Sequence, residues 1–531
     1  MITLILNGHI YSPSNPNATA LAFKNGIVIW IGDDLTGLSH FPKAQIIDLC
    51  GSFVTPAFVD SHVHTTAIGL YRLSIDLGAA NSFQHCIKLL IRHISNYPQN
   101  YIIWGYNWDS SLWSDRSQIS TSDLDEILGS RLVCITNLGM NAILATTALR
   151  KITLGLTEAK GYDPQLPLRH EAFHLIHLTM YEQLNSQQRY QAQIEALNYV
   201  SSLGIVSVHE CSGPHINSLS DWQSLRSIEH GVEVFGYWGE LAQNAKHAKQ
   251  IIDKTGAKGL AGDIFVSDNS NIHMPCIHNS YINKAKSINN YCFNEQSIFK
   301  HIRACTEIGI PAGFNIAGNS DISPIISGFS KAVKKLGLSK VASCGHRLEQ
   351  VQVISFKQIL QLKNWGILAS IHPNCFFQCK NLSIKNQNFE SSTNQIIPLS
   401  VLAANGVPIA FGSYTPNASI DPWRVIYSTI SRKKISNAIS FHASLAAITR
   451  GGWRFSGMDI STIGVLVPGA IASYAVWNID EIRTDEPLNN SIIKWSTNTY
   501  PSVPGTPELS DNNRLPQCLQ TVSKGNIIYS R

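Results

Sequence analysis

The stretch TPAFVDSHVH, Thr55 to His64, runs an apolar, strand-like segment into a His-x-His pair. Residues two apart on a strand project to the same side. His62 and His64 therefore aim together from the end of one strand, and two convergent imidazoles can share one divalent ion. The bland alternative is a pair of isolated polar residues after a strand. The β-rich segment in front of this one favours metal-site geometry.

Outward from this segment the chain alternates. Helix-like stretches such as Gln187 to Leu203 and Asn294 to Ile308 are interleaved with the short apolar runs GIVSVHE from Gly204, IPAGFNIAG from Ile310, GILASIHP from Gly366 and VPIAFGS from Val407. Strand following helix, with chemistry-bearing residues at the strand ends, predicts an α/β fold, a TIM-like (β/α)8 barrel over residues 56–463. Sites of such barrels are assembled at the carboxyl ends of the strands. Residues 1–55 and 464–531 read differently, as short β-type runs broken by turns, with Asn7-Gly8 and Asn25-Gly26 as hairpin signals. Two β-rich ends around a mixed middle predict a small composite β-sandwich built from both termini. The segment from about 68 to 166 is too long for one crossover and contains the aromatic run YIIWGYNWDSSLW. It reads as an insertion after the first barrel strand that covers the barrel mouth.

Composition sets the outer limits. The chain has 531 residues, 44% of them hydrophobic and 15% charged, so it can bury a sizeable core and is not a disordered chain. The net charge of +5 is dispersed, with no basic block longer than SRKKIS at Ser431, which argues against a nucleic-acid partner. Eleven cysteines without regular spacing do not make a disulfide framework. The N-terminal segment lacks a basic n-region and a long apolar run, and no window approaches the ~18 apolar residues of a membrane span. The expectation is a cytoplasmic protein with a small-molecule ligand and no membrane partner.

The matching stretches LILNGHIY, TPAFVDSHVH, IIWGYNWDSSLW, GIVSVHECSGP, AGFNIAGNSD, HRLEQVQ, GILASIHP, GVPIAFGSYTPNASIDPW, ITRGGWR and GVLVPGAIASYAVW, in this order, resemble the amidohydrolase superfamily in its amidohydrolase-3 form. The resemblance covers nearly the whole chain. It implies a metal-dependent hydrolase of carbon–nitrogen bonds other than peptide bonds, with a barrel and a composite β-sandwich. It also implies that His62 and His64 are the metal ligands of the first barrel strand. Such chemistry needs an ion with an open position, which lowers the pKa of a bound water toward about 7. It also needs a carboxylate beside that water to carry its proton, worth about 10²–10⁴-fold.

The sequence departs from the pattern implied by this resemblance at the remaining core positions. Asn315 stands where a histidine is expected, Asn319 where an aspartate is expected, and Gln350 where a second histidine is expected. Tyr414, in FGSYTP, stands at the proton-shuttling aspartate. A further family histidine would fall on Met140 or Asn141, and the Asp-Gly-Ser type segment is scrambled in GDIFVSDNSNIHMP from Gly262. Amide oxygens replace imidazole poorly at a borderline-soft ion. A phenol, with an ordinary pKa of about 10, does not take the water's proton as a carboxylate does.

Several other residues are candidates for rebuilding the site. His209 and Glu210 end one strand and face opposite ways, so one of them completes a set with His62 and His64. His372, Cys375 and Cys379 form a soft-ligand set without a recognisable zinc spacing; the alternative is a loop with buried thiols. Trp104, Trp108 and Asp109 are substrate-binding candidates or, equally, insertion core. Arg347 is a further substrate-binding candidate, and with Glu349 it forms an ion pair at the mouth or on the surface. Two functional expectations follow. One is a small-molecule C–N hydrolase impaired by its substitutions, holding one divalent metal, Zn²⁺ by preference, weakly or not at all. The other is a catalytically inactive homologue that binds a small molecule or a protein.

Overall fold

The computed structural model describes residues 1–110, 113, 119–137, 142–214, 218–266, 291–292, 294–316, 322–374, 398–416, 418–431, 437–458, 462–483, 504–509 and 514–531. Asn319, Met140, Asn141, Cys375 and Cys379 lie outside them.

Helices form where capping residues flank the alternating segments. The predicted helix near 187–203 runs Ser186–Ser201, with the Asn185 side chain accepting from the Gln188 amide. Asn294 caps Glu295–Ile308 in the same way, and Gly309 ends it with φ +74°, a left-handed conformation that costs glycine no Cβ clash. Between the helices the apolar runs are strands buried along their whole length. Phe58–Val63 and Ile205–Ser212 expose no residue, as expected of parallel strands covered on both faces.

These strands form two parallel sheets. One has the order Glu233–Trp238, Ile205–Ser212, Phe58–Val63. The other has the order Tyr291–Cys292, Phe265–Val266, Gly313–Ile316, Arg347–Glu349, Leu368–Ile371, Ile409–Phe411. Single parallel bridges connect them at two places. Val63 pairs with Thr415 beyond the last strand, while Tyr237 pairs with Gly259 and Leu260 with Ala312. The first junction is reinforced by hydrogen bonds from the Tyr414 amide to the His62 carbonyl at 2.9 Å and from the His64 amide to the Thr415 carbonyl at 3.1 Å. The main hydrophobic core, with Phe58, Val208, Phe314, Leu348, Ala369, Phe411 and Trp423, packs against these strands.

The two ends of the chain share a sheet. Tyr474–Asn478 pairs antiparallel with Phe53–Pro56 on one side and Gln517–Ser523 on the other. A second sheet orders Ile27–Gly32, Ala20–Lys24, Ile2–Leu6 and Gln45–Asp48. Asn25-Gly26 makes the hairpin its sequence predicts, between Ala20–Lys24 and Ile27–Gly32. Asn7-Gly8 does not. His9–Ile10 leaves the sheet of Ile2–Leu6 to pair in parallel with Phe53–Pro56, so the positive φ of Asn7, +54°, serves a change of sheet rather than a hairpin.

Residues between 75 and 145 build a separate four-stranded sheet, Ile143–Ala145, Val133–Asn137, Ile103–Trp108 and Ile75–Asp76, over a core of its own. Among the described residues no helix is long and apolar enough to cross a membrane.

Candidate metal centre

His62 lies at the carboxyl end of Phe58–Val63 and His64 just beyond it. Asp60 fixes that end: its Oδ1 accepts from the His62 amide at 3.0 Å and from the Ser413 amide at 2.9 Å, tying the strand to the segment after Ile409–Phe411. The same two segments touch at Gly412, where an added Cβ would stand 2.7 Å from the His62 Cβ. Burial pushes the Asp60 carboxyl up to about 6.

The imidazoles do converge, and their partner is Asp263. His62 Nε2 lies 3.2 Å from Asp263 Oδ1 and His64 Nε2 lies 3.4 Å from Asp263 Oδ2, with every side chain at least 97% buried. Both separations are close to the ~3.4 Å edge of a tetrahedron whose corners stand about 2.1 Å from a central ion. Neither contact meets hydrogen-bond geometry: among the described residues His62 Nε2, both His64 ring nitrogens and Asp263 Oδ2 have no hydrogen-bond partner. Two buried histidines elsewhere in the fold contrast with this. His301 accepts from the Ala242 amide and faces the Leu260 carbonyl, and His346 accepts from the Ala312 amide and faces the Thr306 hydroxyl, so all four of their ring nitrogens are partnered. Buried polar atoms are expected to be satisfied. The unsatisfied set at His62, His64 and Asp263 fits a divalent ion, and two imidazoles with one carboxylate is a donor set used by zinc sites that keep a position open.

A second group borders the first. His62 Nδ1 lies 2.8 Å from Glu349 Oε2, and His372 Nε2 lies 3.3 Å from the same oxygen. Glu349 is also ion-paired to the fully buried Arg347. A dication among His62, Glu349 and His372 would sit against that guanidinium, so Coulomb repulsion favours the Asp263 side. Charge follows the geometry. Burial alone would depress His62, but Cys211 and Asp263 outweigh it and hold its pKa well above the ordinary range. Burial would raise Asp263, but His62 and His64 hold it well below the carboxylate range. Glu349 is likewise lowered, burial being overcome chiefly by Arg347. Burial takes His372 down to about 4.

The sequence-predicted residues fall into place unevenly. His209 is not a member of the converging set: its Nδ1 faces Arg347 Nη1 at 3.0 Å. Nor is Glu210, whose Oε2 accepts from the Thr65 amide at 2.6 Å and whose Oε1 accepts from Ser212 Oγ at 2.8 Å. The alternation along the strand places His209 and Cys211 on one side and Glu210 on the other, and the acidic side chain that approaches both imidazoles is Asp263. Asn315 reaches the cluster as a hydrogen-bond donor, its Nδ2 lying 3.1 Å from Asp263 Oδ1. Tyr414 is fully buried with φ +61°, its ring stacked on His372 at 5.3 Å and edge-on to His62 at 4.8 Å. Gln350 is buried with φ +58°. Two side-chain-bearing residues in the left-handed region at one rim are uncommon, and such conformations gather at functional sites.

The ion pair of Arg347 and Glu349 is entirely buried, and Arg347 faces protein groups on its described sides. Trp108 lies in the core of the separate sheet. Trp104 is half-buried against Tyr181 and lines a cleft with Leu70, Leu73 and Tyr101, and Asp109 is half-buried at the end of the same strand.

Asp263 and Cys211 are the residues that sequence reasoning missed. Asp263 lies in an irregular segment before the two-residue strand Phe265–Val266, so no period marks it. Close packing fixes it instead, since a Cβ on Gly239 would stand 2.8 Å from the Asp263 amide nitrogen. Cys211 could have been found by the period of two from His209.

The profile of the amidohydrolase family matches residues 45–529. Protein LONG AFTER FAR-RED 3 of Arabidopsis thaliana is 20% identical over 516 residues, 89% of this chain and 86% of that protein. N-substituted formamide deformylase of Arthrobacter pascens is 22% identical over 151 residues, 27% of this chain and 28% of that enzyme. Among solved structures, uncharacterized metal-dependent hydrolases from Pyrococcus horikoshii and Pyrococcus furiosus superpose with TM-scores of 0.68 and 0.69 at 20% and 21% identity. Each covers 90% of this chain, and the match spans 98% and 99% of theirs.

Proposed function

The chain belongs to the amidohydrolase family, and from that premise we propose that it holds one divalent ion between His62, His64 and Asp263 and hydrolyses a carbon–nitrogen bond, other than a peptide bond, in a small molecule, with impaired turnover. The observation that carries this reading is the approach of two imidazoles and one carboxylate to 3.2 and 3.4 Å without hydrogen-bond geometry. The proposal includes the architecture around it: a (β/α) barrel over 56–463, interrupted by the insertion, and a composite β-sandwich of 1–55 and 464–531. The bridges between the two parallel sheets support ring closure, and the pairing of Tyr474–Asn478 with Phe53–Pro56 supports the composite unit.

When bound, the ion supplies Lewis acidity and a water acidic enough to be a nucleophile near neutral pH. The chain's own residues do the rest. Asn315 donates to Asp263 and fixes the rotation of its carboxylate. In the reaction, water adds to the carbonyl carbon, the C–N bond breaks, and the nitrogen leaves with the proton the water gives up. The described carboxylates around the imidazoles are each engaged: Asp263 faces both rings, Glu349 is bound to Arg347, Asp60 accepts two amides, Glu210 accepts from Thr65 and Ser212, and Tyr414 stands where the resemblance places an aspartate. Losing such a base costs about 10²–10⁴-fold, which is the basis for impaired turnover.

A second reading, an inactive binding protein, is favoured by Tyr414, whose buried ring occupies the rim beside His62. Elemental analysis of protein purified without chelator separates these readings together with an assay for amine release. Because of the similarity to the deformylase, N-substituted formamides head the substrate panel. Near-stoichiometric Zn²⁺, Mn²⁺ or Fe²⁺ lost in His62→Ala, with slow chelator-sensitive turnover, supports the hydrolase. Metal without turnover supports the binder, and metal-free wild type sinks the ion site.

A further inference from the structure

We infer that Glu349, clamped by Arg347, is a positioning residue that fixes the tautomer of His62 so that Nε2 is the nitrogen offered to the ion. This rests on the ion site proposed above.

A neutral imidazole carries its proton on one nitrogen only, and the hydrogen bond made by the other end decides which. His62 Nε2 faces Asp263 at 3.2 Å, and Nδ1 faces Glu349 Oε2 at 2.8 Å. An ionised carboxylate only accepts. Glu349 therefore requires the proton on Nδ1, so the proton that an ion would displace is the one on Nε2, the nitrogen facing Asp263. Carboxylates that take up the far N–H of a ligating histidine both orient the ring and raise its basicity.

For this to work Glu349 must not turn away, and Arg347 prevents it. The Arg347 Nε donates to Glu349 Oε1, its Nη2 donates to the Ser61 carbonyl at 2.6 Å, and its Nη1 faces His209 Nδ1 at 3.0 Å. The guanidinium also packs over the Tyr237 ring at 4.6 Å and the Phe455 ring at 5.2 Å. A planar fork packed by two rings and bonded at three nitrogens has little freedom to turn, and Glu349 is held with Oε1 on the arginine and Oε2 on His62. The arrangement also accounts for His209, which faces Arg347 from Ile205–Ser212 in the other parallel sheet and so braces the clamp. An ion pair kept only for stability is a weak reason to bury two charges; here the pair has a receiver, the ring of His62.

The test uses full-length protein labelled with ¹⁵N-histidine and loaded with ¹¹³Cd²⁺. The expected spectrum of the wild type shows cadmium coupling to Nε2 of His62 with Nδ1 still protonated. Glu349→Gln, which keeps the size of the side chain, is expected to weaken Cd²⁺ and Zn²⁺ binding about 10–100-fold, the usual cost of removing an outer partner, measured by competition with a chromophoric chelator. Coupling to Nδ1 in the wild type, or Glu349→Gln binding both ions within twofold of wild type, overturns the inference while leaving the ion site standing. Wild type that takes up no Cd²⁺ overturns both. If Glu349→Gln does not fold, the wild-type spectrum still decides.

Discussion

Asn315 Nδ2 lies 3.1 Å from Asp263 Oδ1, with both side chains completely buried. The residue that replaces an expected histidine thus still serves the cluster, by holding the carboxylate that faces His62 and His64. Asn315→Ala is expected to lower Zn²⁺ affinity about 10–100-fold. It should also cost about 1–3 kcal/mol of stability for the hydrogen bond left unmade inside the core. Chelator competition and urea unfolding measure the two effects. An unchanged affinity would detach Asn315 from the site.

At Gly412 the constraint is steric. An added Cβ would meet the His62 Cβ at 2.7 Å, the His62 nitrogen at 2.9 Å and the His372 Cδ2 at 3.1 Å. Two of these atoms belong to the opening strand's Cβ and backbone and have no flexible side chain to swing aside. Gly412→Ala is expected to cost about 1–3 kcal/mol, the usual range for overpacking, and to displace His62 enough to reduce bound metal. Thermal unfolding and elemental analysis of the variant would show both losses, and a variant with wild-type metal content would sink the second.

Which parts of this were legible in the sequence follows from what leaves a periodic trace. Strands buried on both faces leave short apolar-rich runs, so the starts of Ile205–Ser212, Leu368–Ile371 and Ile409–Phe411 are visible, as is the helix ended by Gly309. His62 and His64 are visible because a strand's period of two puts them side by side. Asp263 is not, because it sits in an irregular segment held by tertiary contact with Gly239 rather than by a repeating pattern. The sheet change at Asn7-Gly8 is hidden for a related reason. An Asn-Gly pair signals a left-handed turn, but which strands it joins is decided by long-range pairing with Phe53–Pro56. Arg347 and Glu349 read equally as a surface pair until Tyr237, Phe455 and Ser61 close around them.

Two structural histidines predict an acid sensitivity separate from the site. Burial takes His301 down to about 4 and His346 to about 3. The unfolded chain binds their protons from about 6.5 downward. Between that value and the folded pKa the unfolded state holds more protons, so stability falls as pH falls. At about 1.4 kcal/mol per pH unit, the loss once pH has reached the folded value is on the order of 3 kcal/mol for His301 and 5 kcal/mol for His346. Urea midpoints should drop between pH 7 and pH 5, with a slope measurably shallower in His346→Gln. Parallel slopes for the variant and wild type would remove His346 from the account.

The strongest leverage on chemistry lies at Tyr414, whose backbone sits at φ +61°. Aspartate tolerates that region better than an aromatic residue does, so Tyr414→Asp removes a conformational cost while placing a carboxylate at the rim beside His62. Removing the ring also opens the space now stacked on His372. A new buried charge is costly by itself, and the ion between His62, His64 and Asp263 is what would offset it. The expected result is therefore conditional on metal: turnover of an N-substituted formamide rises by about 10²–10⁴-fold with Zn²⁺ present, and the metal-free variant is less stable than wild type. Adding Asn315→His, which puts an imidazole beside Asp263, together with Gln350→His at the end of the neighbouring strand Arg347–Glu349, should tighten metal binding further. Amine release by the single variant and elemental analysis of the triple variant test the two steps separately. A Tyr414→Asp protein that binds Zn²⁺ fully and still releases no amine would mean that the missing carboxylate is not what holds turnover down, and would shift the explanation to the binding of substrate.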